Sequence, residues 1–597
     1  MIWYSPTGVG DFLGSLNVFF FAFGAVLAML NLCGWVASFV VDTAIAAERV
    51  KFTVSTAVFL LLLAALTSLL RDFHRVRLCA VEACSRAPGG TTWSIKTPDE
   101  RPTISAAALA WYEQAERSYH KDGAHKDKPV PMLVIATAGG GIRAAFWTAT
   151  VLERLQADLQ KNGERLEELI FAISGVSGGS VGAMDYIAAL HARQTSGTNV
   201  GPTEFLQSDF LAPAIASLVF VDTPSNFLPD LGQIDRGTAL ERALEKGSKG
   251  YLSHSFLSFF PDLKTQGQPW RPALLLNATH QETGRRIIAS NLKIERDVFL
   301  DSFDEFNLLE SDMRASTVAH NSARFTYVSP AGKLQRKKDS GIFSEGISRG
   351  YIIDGGYFEN YGALTALEVA RRARSEIENA KGKDVVKLVV VQISSDPTLT
   401  KDRTRVRTTT DDKSNCVLTT AALADGSSGA SNFLHFRDSG LDRNTHRWQK
   451  NDGEGRVVSY LNELAAPLLG VTAVREARGT LAAAELAAAV CSEQQPSNPS
   501  ASNTAQKQTP PAIYDLLATA TKSRAGTPTT ASPTSARANL GPHFAHFAMC
   551  DTSEIGKAPI VPPLGWVLSK PMREMFPKIL ADCGNEDERK GLMEALD

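Results

Sequence analysis

Two glycine-framed turns, each placed where an apolar run gives way to a helical pattern, constrain this chain more than any other feature. The first, Gly139-Gly140-Gly141-Ile142-Arg143, follows the run Met132–Ala136. The second, Gly175-Val176-Ser177-Gly178-Gly179, follows the run Leu169–Ile173. Glycine admits backbone angles and close approaches that a Cβ forbids. Turns of this make can therefore bare backbone N–H groups and, in the second case, a serine hydroxyl. Ester cleavage needs those two parts, an exposed nucleophile and a nest of N–H groups for the oxyanion.

The pattern around the turns predicts the frame that carries them. Helical periodicity runs over Ile142–Leu159, Gly179–Ala192 and Ala363–Ile377, and a shorter amphipathic stretch covers Ala106–Arg117. Apolar runs at Ala273–Ala278, Arg286–Ala289, Tyr351–Ile353 and Val385–Ile393 read as further strands. Such alternation predicts an α/β fold with a central, mostly parallel sheet. At 597 residues the chain has room for more than this one unit. Five parts are expected: an N-terminal anchor (1–77), a linker with a short helix (78–130), the catalytic domain (131–493), a Ser/Thr/Pro/Ala-rich insertion (494–540), and a C-terminal segment packing back on the catalytic domain (541–597).

The anchor rests on charge. No charged residue stands between Asp11 and Asp42, and none between Lys51 and Arg71. At ~1.5 Å per residue the second stretch reaches about 28 Å, near the ~30 Å hydrocarbon core of a bilayer. A transmembrane hairpin is expected, with helices at about 12–36 and 52–70. A cleaved signal peptide fits less well, because no basic region precedes the first stretch and its apolar part is too long. Arg71, Arg75 and Arg77 follow the second stretch, which places the large downstream domain in the cytoplasm by the positive-inside rule. The formal net charge of −2, without a basic excess, speaks against a nucleic-acid partner. Seven scattered cysteines form no zinc pattern; Cys79 and Cys84 can pair, but thiols are expected in a cytosolic domain.

Ser177 sits where a strand ends and a helix begins, the layout of a nucleophile elbow framed by Gly175 and Gly179. Asp354 ends the strand Tyr351–Ile353 and is followed by Gly355 and Gly356, so its carboxylate can reach a neighbouring loop as general base. Gly139, Gly140 and Gly141 offer the oxyanion N–H groups, with Arg143 beside them. A phosphate loop is excluded, since no Gly-Lys-Ser/Thr follows. A dinucleotide fingerprint is excluded as well, since Ala144 stands at the last glycine. No metal or cofactor is called for, and Asp301–Glu305 (DSFDE) reads as a solvated segment rather than a calcium loop.

The ordered set G-G-G-x-R, G-x-S-x-G and D-G-G resembles the patatin-like phospholipase family and the related cytosolic phospholipase A2 core. The likeness spans about 131–394, with weaker support from Asn321–Pro330 and the C-terminal PLGWVLS. It implies a patatin-like three-layer domain and a Ser177–Asp354 dyad without histidine. It also implies a membrane phospholipid substrate; the apolar hairpin lies outside the likeness, and it is the hairpin that makes a bacterial-type, multi-pass protein of the inner membrane the expectation. Ala144 and the Asp-Gly-Gly triplet depart from the commonest patatin pattern without touching the dyad. Two other readings compete. One is a Ser-Asp-His α/β-hydrolase acting as esterase, thioesterase or peptidase, with His543 or His546 completing the triad. The other is a tethered interaction protein that has lost catalysis.

Overall fold

The computed structural model describes residues 6–46, 74–79, 84 and 97–395, the last with breaks at 122, 124, 127, 226–233, 264–267, 326–327 and 337–346. It further describes short pieces between 408 and 486, then 544–549 and 562–597 except 583. The expected second span, the 494–540 insertion and His543 lie outside the described residues.

Nine strands form one sheet. They are β1 Val130–Thr137, β2 Ile170–Val176, β3 Ala273–His280, β4 Arg286–Ser290, β5 Ser302–Asp304, β6 Gly332–Arg336, β7 Ile347–Asp354, β8 Val386–Ser394 and β9 Phe544–Ala548. The order is β9-β8-β1-β2-β3-β4-β5, with β7 also paired to β3 and β6 to β7. From β9 through β3 every neighbouring pair is parallel. β3 pairs antiparallel with both β4 and β7. The parallel strands β1 and β2 are buried along their whole length, as a sheet covered on both faces requires. β9 joins the sheet from beyond the insertion, placing Phe544 opposite Val390 and Phe547 opposite Ile393.

The principal helices are α1 Pro6–Ala46, α2 Ile104–Tyr119, α3 Gly141–Lys161, α4 Gly178–Ser196, α5 Leu211–Ser217, α6 Arg236–Gly247, α7 Ala315–Ser322 and α8 Ala363–Lys381. Two more close the chain, α9 Phe576–Ala581 and α10 Asn585–Leu596. α8, backed by α2, covers β8, β1 and β2, while α3 and α4 pack together on the sheet. α2 is a core element: Thr103 caps it through the Ala106 N–H, and Ile104, Ala107, Ala108, Trp111 and Ala115 are buried. Trp111 meets Phe171 of β2 edge-on, and Phe171 stacks on Trp270.

The N-terminal helix is longer than its apolar pattern suggested and breaks from helical geometry at Gly14 (φ 73°, ψ 161°). Val18 is buried against Ala212 and Ala216 of α5, with Leu13 and Ile215 packed around them. Other side chains stand out: Phe12, Leu16, Phe19, Phe20, Phe23, Trp35 and Phe39 are all exposed. Among the described residues no helix is long and apolar enough to cross a membrane. The first helix of the anticipated hairpin is therefore not found as a membrane span, and the second lies outside the described residues. Gly14 interrupts the apolar run near its start, and Leu13 and Val18 turn to α5 rather than outward.

Residues 74–79 dock on the domain. Val76 N–H bonds to Lys333 O at 3.1 Å, and Cys79 N–H to Asp312 O at 3.0 Å. Cys79 and Cys84 form a disulfide, not the thiol pair expected; five residues of separation bring their Cα atoms to 5.4 Å, within ordinary bridging range. Asp301–Glu305 also departs from its expected solvation. Asp304 and Glu305 are buried, and Asp304 pairs with the equally buried Arg101 at 2.8 Å. A desolvated carboxylate is tolerable only with such a partner.

Candidate active site

Ser177 occupies the junction of β2 and α4 with φ 52° and ψ −126°, outside the comfortable range for a side-chain-bearing residue. Strain of this kind costs of order 1–3 kcal/mol and persists only where neighbours enforce it. The enforcement is visible. Ser177 N–H donates to Ser322 Oγ at 3.0 Å, and a Cβ at Gly178 would overlap the carbonyl of Gly141. The hydroxyl is thereby turned out of the strand, and the N-terminus of α4 adds partial positive charge beside it.

Ser177 Oγ donates to Asp354 Oδ2 at 2.6 Å. Asp354 is 2% exposed. Its Oδ1 accepts the Gly356 N–H at 2.7 Å, which orients the other oxygen toward the serine. Its own N–H donates to Arg324 O at 3.0 Å, and it pairs with Ala278 of β3. Gly355 lies against the Asn277 carbonyl with no room for a side chain. The two residues picked out from separate motifs thus share a hydrogen bond across neighbouring loops.

The triglycine turn faces them. Gly139 lies next to Ser177, but its N–H is taken by Asn360 O at 2.8 Å. Gly139 is therefore not an available donor, because the loop beyond Asp354 closes back on it. The N–H groups of Gly140 and Gly141 have no hydrogen-bond partner among the described residues, as an oxyanion site requires. Ile142 N–H is held by Gly565 O at 2.9 Å. Arg143 is 7% exposed and its Nη1 donates to Pro562 O at 3.3 Å. Gly175 and Gly179 pack against Ser180 and Thr137 on either side of the elbow.

Several supporting residues escaped the motifs. Ser322 also bonds to Ser180 Oγ at 2.7 Å and donates to Asn277 O. Asn277 Nδ2 holds Ser174 Oγ and Gly175 O beneath the elbow. Behind α7, the buried Glu241 accepts from Thr317, His320, Arg324 and Arg77. Burial and the Arg324 guanidinium push His320 down to about 4, so a neutral imidazole donates to Glu241 at neutral pH. Burial pushes Glu359, in the loop after Asp354, up to about 7. The segment Asn321–Pro330, part of the motif resemblance, carries Ser322 and Arg324 of this layer. Among the described residues no group of His, Cys, Asp and Glu is arranged to hold a metal.

No protein-family profile and no curated protein sequence matches the chain. Among solved structures it is similar to the human GIVD cytosolic phospholipase A2, at 12% identity and a TM-score of 0.25, covering 51% of this chain and 50% of that one. The chain thus spans about half the length of that protein. It is also similar to VipD from Legionella pneumophila, at 13% identity and a TM-score of 0.21, covering 72% and 73% of the two chains. At these values neither likeness bears on fold or activity.

Proposed function

We propose that the chain is a membrane-associated serine acyl hydrolase that cleaves fatty-acyl esters of phospholipids with a Ser177–Asp354 dyad. The observation that carries this reading is the 2.6 Å contact between a serine in a strained elbow and a buried, pre-oriented carboxylate. Asp354 takes the Ser177 proton as Oγ attacks the ester carbonyl. The Gly140 and Gly141 N–H groups hold the oxyanion, and the proton passes to the departing alkoxide. Water then attacks the acyl-enzyme with Asp354 again as base, regenerating Ser177 and releasing a fatty acid.

The motif resemblance to patatin-like phospholipases supports the lipid substrate. The exposed phenylalanines and Trp35 of α1 support attachment to a lipid surface, since clustered exposed apolar side chains mark membrane or protein contacts. The Cys79–Cys84 disulfide favours an oxidising side of that membrane, against the cytoplasmic placement suggested by the flanking arginines. A histidine base finds less support. The His546 ring bonds to Ser394 Oγ at 2.6 Å, out on β9 at the sheet edge.

The test uses the full chain with phosphatidylcholine and phosphatidylethanolamine vesicles, measuring released fatty acid. Ser177→Ala and Asp354→Asn should each abolish release, while His546→Ala should not. Retained hydrolysis in either dyad variant would refute the proposal.

A further inference from the structure

We propose that the C-terminal strap Pro562–Trp566 is a working part of this active site, holding the oxyanion turn and presenting Leu564 to the acyl chain of the substrate. The inference rests on the acyl-hydrolase reading and names a substrate-contacting residue within it.

The strap is fastened at both ends. Pro562 is buried and its carbonyl accepts Arg143 Nη1; Trp566 is buried and its carbonyl accepts Phe210 N–H at 3.1 Å. Between them Pro563, Leu564 and Gly565 are exposed. The middle of the strap lies on the triglycine turn. Gly565 O takes the Ile142 N–H, and the Leu564 carbonyl fills the space that a Cβ on Gly141 would need. Gly141 has φ 57°, a left-handed conformation that suits glycine. The strap therefore seats itself against a residue whose N–H has no hydrogen-bond partner among the described residues. Arg143 acts here as a positioning residue, its guanidinium turned to the strap.

Leu564 is 59% exposed at this spot. Among the described residues outside α1, the large apolar side chains left strongly exposed are Leu300, Phe325 and Leu564. Two of the three sit on loops that hold the dyad or the oxyanion turn. Phe325 follows Arg324, whose carbonyl accepts the Asp354 N–H, and stacks on Tyr357 of the Asp354 turn at 5.8 Å. Apolar groups in water at the rim of a polar site gain when a hydrocarbon covers them. A fatty-acyl chain leaving the Ser177 ester is the hydrocarbon that the chemistry brings there.

The test labels Ser177 in the full-length protein with two fluorophosphonates, one bearing a methyl and one a dodecyl chain, and compares rates. Leu564→Ala should lower the dodecyl-to-methyl rate ratio roughly tenfold, and Leu564→Trp should also shift it. Leu300→Ala, a control at an exposed leucine in the turn before β5, should leave it alone. Arg143→Met should slow both probes together by about tenfold, with Arg143→Lys restoring most of the rate. A ratio unmoved in both Leu564 variants would overturn the acyl contact. Wild-type rates in Arg143→Met would overturn the holding role. If wild-type Ser177 reacts with neither probe, the hydrolase reading itself fails and the inference falls with it.

Discussion

Ser322→Ala isolates what keeps the Ser177 hydroxyl turned outward. Ser322 Oγ accepts the Ser177 N–H at 3.0 Å, shares a bond with Ser180 Oγ at 2.7 Å and donates to Asn277 O. All four residues are buried, Ser180 and Ser322 almost completely. Alanine leaves the Ser177 N–H inside the protein without an acceptor, at a cost of about 1–3 kcal/mol. The Ser180 hydroxyl also loses a partner, so a total near 2 kcal/mol is the expectation. For a domain of this size that lowers the melting temperature by about 2–3 °C. The reactivity loss should be larger in proportion. With its N–H released, the Ser177 peptide can relax from φ 52° and carry Oγ away from Asp354 Oδ2. Labelling by a small fluorophosphonate, normalised to folded protein by near-UV circular dichroism, should slow by about tenfold or more. Melting within about 1 °C of wild type together with an unchanged labelling rate would refute this account.

Gly141→Ala forces a Cβ into the Leu564 carbonyl, so the strap or the turn must retreat by about 1 Å or more. Hydrolysis per labelled site should fall by about 10²–10³, the usual loss for a disturbed oxyanion donor. Gly163→Ala, at φ 82° with open space around it, serves as control and should keep its rate. Burial pushes the Glu305 carboxyl from 4.5 up to about 8. The native state therefore keeps a proton that the unfolded chain gives up, and stability falls as pH rises through that window. Glu305→Gln should flatten the loss and melt higher than wild type at pH 8, with the gap narrowing toward pH 5; parallel melting curves would contradict the buried neutral acid. Cys79 and Cys84 should resist alkylation until a reductant is added, as read by peptide mass spectrometry; modification without reductant would deny the disulfide.

The strand–turn–helix units were legible because their determinants are local. Buried parallel strands need unbroken apolar runs, and β1, β2 and β8 each announce themselves within a few residues. Ser177 and Asp354 were readable for the same reason, since an elbow or a strand-end acid is written in its immediate neighbours. The anchor shows where locality fails: the apolar run was plain, yet its pattern said nothing of Gly14 breaking it or of α5 receiving Leu13 and Val18. The DSFDE run failed likewise, because the arginine that neutralises Asp304 lies 203 residues away.

By itself, then, the sequence determined the alternating frame, the bare turns and the chemical identity of the proposed nucleophile and base. Tertiary structure alone decided that these meet, that the Asn360 carbonyl takes the Gly139 N–H, and that Ser322, 145 residues from Ser177, holds the elbow. It also brought the strap onto the turn from 419 residues beyond Arg143. The physical reason is range. Backbone preference and apolar periodicity act over a few residues, whereas a hydrogen bond in a packed interior joins whatever groups the fold brings within about 3 Å, wherever they stand along the chain.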